Sequence, residues 1–383
     1  MAITFSKSIS TTEFLNAYNN NIVEFSSDNI LDSVKCDIVI GGYTFTITPI
    51  NNLFRFNFKE VVKTLINLNN FKDDVTPSLD LTIDDSLQMM FLVDYTITFT
   101  DESTEDTNET YSFLKSVEQI ANVSSRLLSE QQILNKPLLT MFNGYPVDLG
   151  RYSNGNFTIY NVNNGNQKAI TSTATDTERL WFSEGNYDLS ESDEQKTFED
   201  RVLALTDGTL YENSCYSFDE NRLLDIGRNS LYLIDSSTQK QVSIKLIDDC
   251  GVYLKWFNEY GSWSYWLFSS IFVDSINAKT IDVFNVDFES IDETYTTSLI
   301  TGKEAKNQIN LRYKNLEDYE VEQLKSILTS PRVELYNGNK GDAVTSSSWQ
   351  TVKVVDGTFA VNNTKNNLTN LAITIDKNQY TQI

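Results

Sequence analysis

Histidine is absent from the 383 residues, and cysteine and proline number only three and five. Without imidazole the chain lacks the commonest general base and the commonest transition-metal ligand. That excludes Ser-His-Asp and Cys-His catalysis within this chain alone and argues against a zinc site. Cys36, Cys215 and Cys250 stand far apart with no CxxC pair, a pattern that suits neither a disulfide framework nor thiol exchange. No stretch approaches the roughly 18 consecutive apolar residues of a membrane-spanning helix. The opening residues Met1 to Lys7 also lack a basic region leading into an apolar run, so a soluble chain without a signal peptide is expected. Carboxylate chemistry and oxygen-ligated Ca or Mg stay open.

Positive charge is also short. Thirty Lys and Arg against 53 Asp and Glu give a formal charge of −23, which repels phosphate backbones, so specific nucleic-acid binding is not expected. Dispersed acidic residues keep a large surface soluble. Phosphate-loop and dinucleotide fingerprints are missing: Gly302-Lys303 has neither the earlier glycine nor the following Ser or Thr. Acidic pairs such as Asp84-Asp85 and Asp248-Asp249 carry little information, because adjacent carboxylates on a strand point to opposite faces. The acidic stretch Ser190 to Lys196 lacks the Asp-x-Asp-x-Asp-Gly spacing of a calcium loop. No catalytic, cofactor-binding or metal-binding residue is assigned, and the chain reads as a non-enzyme.

What is abundant is short β-type segments punctuated by Asn, Gly and Asp, residues that tolerate turn geometry. Ser33 to Ile40 and Tyr43 to Thr48 flank Gly41-Gly42 as a hairpin. Leu53 to Phe58 alternates before a helical stretch, Lys59 to Ile66, and Met89 to Thr100 supplies another strand. Asp101 to Asp106 has a loop composition. Near the C-terminus a helix is expected with Asn315 as its cap, Leu316, Tyr319, Leu324, Ile327 and Leu328 as apolar positions, and Pro331 beyond its end. Strands at Val333 to Tyr336, Trp349 to Val355 and Asn370 to Ile375 follow. The expected fold class is mainly β: tandem antiparallel β-sandwich-like domains with a few short helices. The expected divisions are an N-terminal β-sandwich-like domain over 1–130, a central β domain over 131–289 and a small α+β domain over 290–383.

The densest signal is aromatic. Tyr253, Trp256, Phe257, Tyr260, Trp263, Tyr265, Trp266 and Phe268 crowd one predicted hairpin turning at Asn258 to Ser262. Rings at that density need burial or a partner, so these eight are candidate packing or interface residues. Two strands would place them on both faces, and the hairpin should be covered on both sides.

The segment Cys250 to Phe268, with its Leu-x-Trp, Asn-x-x-Gly turn and Trp/Tyr-rich return strand, resembles a segment of tail structural proteins from phages of Bacteroidetes-type bacteria, crAss-like phages included. The hairpin and Phe-Arg-Phe-Asn-Phe run between Asn29 and Ile66 resemble the opening module of such proteins. Leu324 to Tyr336 with Trp349 resembles their final domain. The resemblance implies a virion tail component of a hub, ring or baseplate layer, assembled in the host cytoplasm as a homo-oligomer beside other tail proteins. It supplies no catalytic residues. The alternative is a host glycan-binding adhesin module, for which Trp181, Trp263 and Trp349 are the candidate platforms.

Overall fold

The computed structural model describes residues 2–12, 14–29, 31–68, 71–76, 81–116, 126–127, 138–152, 156–171, 177–182, 223–234, 239–285, 298–341, 344–355 and 369–382. Cys215 and the Ser190 to Lys196 stretch lie outside them.

Alternation along the N-terminal strands dictates a two-layer arrangement. β1 (Ile3–Lys7), β3 (Ile22–Ser27) and β6 (Phe54–Asn57) form one sheet, with β2 (Phe14–Asn16) in the other. That second sheet continues with β4 (Ser33–Ile40) and β5 (Tyr43–Ile47), then β8 (Gln88–Phe99) and β9 (Thr104–Leu114), in the order β2-β9-β8-β4-β5. Inward residues at every second position, Cys36, Ile38 and Ile40 on β4 and Val93, Tyr95 and Ile97 on β8, are buried against Phe25, Phe54 and Phe58. The β4–β5 hairpin turns on Gly41 and Gly42, both at positive φ, where a side chain is strained. The helix Lys59–Ile66 buries Val62, Leu65 and Ile66 into the same core. The composition of Asp101 to Asp106 suggested a loop throughout, yet β9 begins at Thr104: cross-strand pairing with Thr98, Ile97 and Thr96 outweighs local polarity.

Short β7 (Leu81–Ile83) leaves this lobe and joins the next. It edges a sheet ordered β10-β12-β15-β7, made with β10 (Arg126–Leu127), β12 (Val147–Tyr152) and β15 (Thr177–Phe182). A five-stranded sheet ordered β11-β17-β16-β13-β14 uses β11 (Leu138–Phe142), β13 (Phe157–Asn161), β14 (Gln167–Ile170), β16 (Gly227–Ile234) and β17 (Gln239–Ile247). The last sheet has seven strands, β19-β18-β22-β23-β24-β21-β20. They are β18 (Gly251–Phe257), β19 (Trp263–Ser269), β20 (Val273–Asn285), β21 (Ser298–Leu316), β22 (Val333–Tyr336), β23 (Trp349–Val354) and β24 (Thr369–Gln382).

The described residues are mainly β, in sandwich-like sheets that are antiparallel except where β2 joins β9 and β11 joins β17, with few short helices. One apolar core serves the N-terminal sheets, and a second runs from Leu87 to Ile375 through the three later sheets. The C-terminal helix spans Asp318–Leu324 and continues as a 3-10 turn over Lys325–Leu328. Its cap is Glu317, in a reciprocal capping box with Glu320, and not Asn315. Asn315 instead lies in the last part of β21, at φ 60 where the strand's register shifts between Tyr313 and Leu316, its N–H donating to Asn370 Oδ1.

Candidate functional site

Hairpin β18–β19 is the centre of the second core. Its strands pair from Gly251 with Ser269 to Phe257 with Trp263. Gly251 starts it because a Cβ there would lie 1.8 Å from Phe268 O. Asn258 shapes the turn: Oδ1 accepts from Tyr260 N at 3.0 Å and Ser262 N at 3.2 Å, while Nδ2 donates to Ser264 Oγ at 2.9 Å. Ser116, two residues past the end of β9, donates to Glu259 O at 3.1 Å and ties the turn to the first lobe.

Both faces of the hairpin are covered. On one, Trp256 donates from Nε1 to Ser326 Oγ at 2.8 Å, and Trp266 meets Phe142 and Tyr313 edge-on at 5.2 and 5.3 Å between centroids. On the other lie Tyr253, Phe257, Trp263 and Tyr265. Tyr253 packs on Tyr145 at 4.7 Å, and Phe257 meets Phe71 at 4.9 Å. Of the eight aromatics, all but Tyr260 are buried, and Tyr260 is half-buried in the turn. At roughly 2 kcal/mol per fully buried large apolar side chain, the hairpin supplies free energy on the scale of a whole domain's net stability.

The two indoles differ in one respect. Trp256 Nε1 is satisfied, whereas Trp266 Nε1 is buried with no hydrogen-bond partner among the described residues. Trp256→Phe should therefore cost about 1 kcal/mol more than Trp266→Phe, because only the first strands a paired hydroxyl. Urea midpoints of the two variants measure the difference; equal losses would show that the indole hydrogen bond contributes nothing net.

Within the second face lies an ionic network that composition did not reveal. Lys255 sits mid-strand between rings, its Nζ 4.3 Å from the Trp349 centroid and 4.8 Å from that of Trp263. It reaches Asp73 Oδ2 at 2.5 Å and Glu334 Oε2 at 3.1 Å. Glu334, its register partner on β22, also binds Arg332 Nε at 2.6 Å. Asp73 then engages Arg179 through both oxygens, at 2.6 and 3.2 Å. Arg179 stands on β15 opposite Gly150 and forks a second time onto Asp148 at 3.0 and 2.9 Å. Its contact with Asp84 is longer, 3.4 Å. Tyr265 donates its hydroxyl to Asp148, and the guanidinium lies 4.6 Å from the Trp181 ring centre. The network thus joins the β12–β15 sheet, the 71–76 segment and hairpin β18–β19.

The titration directions follow from geometry. Burial works against ionised Asp73, but the Arg179 and Lys255 charges more than offset it and hold its carboxyl well below the usual range. Asp84 moves the other way: burial raises it, Arg179 only partly compensates, and the neighbouring Asp73 and Asp148 charges add to the rise. Burial works against the Arg179 charge, yet Asp148 and Asp73 hold it firmly protonated. The Tyr265 hydroxyl is kept neutral by burial first and the Asp148 charge second. Arg179, Asp148 and Asp73 have side chains no more than 1 % exposed, so a solute cannot reach them without the hairpin opening. What the arrangement can do chemically is lock sheets together.

A smaller polar cluster fixes the C-terminal helix: Glu320 Oε1 accepts from Thr140 Oγ1 and Lys245 Nζ, both at 3.1 Å. Cys36 is buried and its thiol is pushed up to about 12, chiefly by burial, while Cys250 is exposed. Asp84 is buried and Asp85 exposed, but the pair lies off the strands: Asp84 caps the 3-10 turn Asp85–Leu87, accepting from Ser86 N. Trp181 and Trp263 are buried and Trp349 is half-buried, all three with ring faces engaged by cations. Among the described residues, no group of three or more Cys, Asp or Glu is placed to hold a metal ion.

No family model matches the chain, and no curated protein does. Solved structures similar to it include the Clostridium thermocellum CbhA fibronectin(III)-like modules, at 9 % identity, 64 % of this chain, 95 % of that one and a TM-score of 0.20. A fragment described as Titin-A168169 gives 9 % identity, 65 % and 100 % coverage and a TM-score of 0.24. A 1.5-MDa bacterial ice-binding adhesin gives 7 % identity, 80 % and 91 % coverage and a TM-score of 0.21.

Proposed function

We propose that the chain is a non-enzymatic structural subunit of a phage virion tail, in a hub, ring or baseplate layer, and that it assembles into a symmetric homo-oligomer beside other tail proteins. The observation that carries the non-enzymatic part is the closed state of the richest cluster of ionisable groups among the described residues. Asp73, Asp148, Arg179, Lys255 and Glu334 are paired with one another and sealed under aromatic rings. A catalytic acid or base must come within hydrogen-bond reach of a substrate. A network of this kind suits a body that must hold several sheets in one rigid register. The tail assignment draws on the resemblance carried by Cys250 to Phe268. No described helix is long and apolar enough to cross a membrane.

Mass spectrometry of purified tailed-phage particles from a host carrying this gene tests the reading. The chain should copurify at a fixed multiple per particle, and particle reconstruction should show it as a ring. Its absence from intact particles would overturn the assignment.

A further inference from the structure

Strand β20 ends the seven-stranded sheet and runs 13 residues, Val273–Asn285. The other edge strands of the described sheets have two to seven residues, and the seven-residue one, β19, is buried. Natural edges are blunted by shortness, proline or charge. β20 has no proline, is long, and carries only Asp274, Lys279 and Asp282 as charged residues. Both of its faces are open: Ile276, Ile281, Val283 and Phe284 are exposed, as are Ile271 just before it and Ile300 opposite Val283. Exposure reaches 82 % at Ile271, 67 % at Ile276 and 61 % at Phe284. Its neighbour β21 shows the contrast, because Ala305, Ile309 and Leu311 there are buried against the body. The ribbon β20-β21-β24 is therefore an arm anchored along one side, with an apolar overhang on the other.

Charge selects the occupant. The three arm strands hold six of the chain's 30 basic residues but only four of its 53 acidic ones, Asp274, Asp282, Glu304 and Asp376. A net basic arm on a chain of charge −23 is complementary to the rest of its own kind. We infer that β20 is a self-assembly edge, extended by a second copy of this chain through strand addition and burial of the exposed Ile and Phe side chains, with the basic flank against the acidic body of that copy. A second copy supplies both complements at once, an equally long edge with no further strand partner among the described residues and an acidic surface. The inference rests on the reading of the chain as an assembly subunit and names the surface that such assembly uses.

Sedimentation velocity on the full chain, wild type against I276K/F284K, tests it. The wild type should associate across about 1 to 100 µM, less so at high salt, and the variant should need at least about tenfold more protein to do so. Both side chains are exposed, so far-UV circular dichroism should be unchanged; if the lysine pair unfolds, I276S/F284S carries the same expectation. Hydrogen exchange should slow at β20 amides only in the associated form. A wild type that stays monomeric, or variants that associate as the wild type does, would overturn the inference. Normal association of the variants in a chain still found in virions would leave the tail reading standing and remove only the edge. Arm-dependent oligomers of a chain absent from particles would do the reverse.

Discussion

Replacing Arg179 by Met should lower stability by about 4 kcal/mol or more at neutral pH, the largest single-residue effect expected here. The guanidinium is fully buried and forks onto both Asp73 and Asp148 while touching Asp84. Methionine fills much of the volume but leaves those carboxylates inside with fewer counter-charges. Breaking a buried pair by removing one partner costs about 3–5 kcal/mol, because the remaining charge is uncompensated, and Arg179 serves more than one partner. Domains are stable by only about 5–15 kcal/mol, so the loss is a large share. Arg179→Lys should fall between the two: the charge is kept, but an ammonium cannot make two bidentate contacts. The deficit of Arg179→Met should shrink as pH drops toward 4, because the stranded carboxylates can then protonate. Urea denaturation at pH 7 and pH 5 measures both, and a loss below about 1 kcal/mol at pH 7 would contradict the assigned role of the network.

The two aspartates beside Arg179 should respond in opposite directions. Asp73 bridges Arg179 and Lys255, and its carboxyl is held below its ordinary value. Its stabilising contribution is therefore complete above the unfolded carboxylate range, near about 4, and is lost as pH falls below it. Asp73→Asn should cost about 3 kcal/mol at pH 7 and should flatten the acid limb of the stability profile. Asp84 has the longest of the three contacts and a raised carboxyl. A carboxyl raised on folding opposes stability at neutral pH and ceases to do so as pH falls. Asp84→Asn retains the oxygen that accepts from Ser86 N at 3.1 Å. It should be within about 1 kcal/mol of wild type at pH 7, or more stable. Its costs are the 3.4 Å contact with Arg179 and the charge beside Lys115, whose pKa burial lowers against the pull of Asp84. Stability profiles from pH 7 to pH 3 for both variants give the comparison, and parallel curves would show that the two sites are not distinguished by their partners.

Together with the edge strand, these expectations describe a rigid interior beside an open edge at β20. The buried network fixes β12, β15, β18 and β22 relative to one another, while β20 has no second strand partner among the described residues. The proposed assembly role would use both: interior order that survives load, and an edge that a neighbour can complete.

Local chemistry by itself determined much of this protein. Alternation set β4, β5, β6 and β8, Gly41-Gly42 set their hairpin, and the helix Lys59–Ile66 lies where its pattern placed it. The aromatic run determined that β18–β19 is a hairpin turning at Asn258, because period-two strands and an Asn-x-x-Gly turn are short-range features. Other elements were decided by pairing at a distance. β9 takes in acidic residues that locally favour a loop, and Glu317 displaces Asn315 as the helix cap because β21 runs on to Leu316. The ionic network was least legible. Its one local sign is Lys255, a lone charge in an apolar run, since an aliphatic ammonium buried among rings needs a counter-charge. Its partner Asp73 lies 182 positions away and Arg179 lies 106 from Asp73. Contacts of that separation leave no periodicity in a single chain. Sequence determined which segments are strands and where the rings concentrate; only the tertiary structure decided which charges they enclose and which edge stays open, because sheet order is a property of the whole fold.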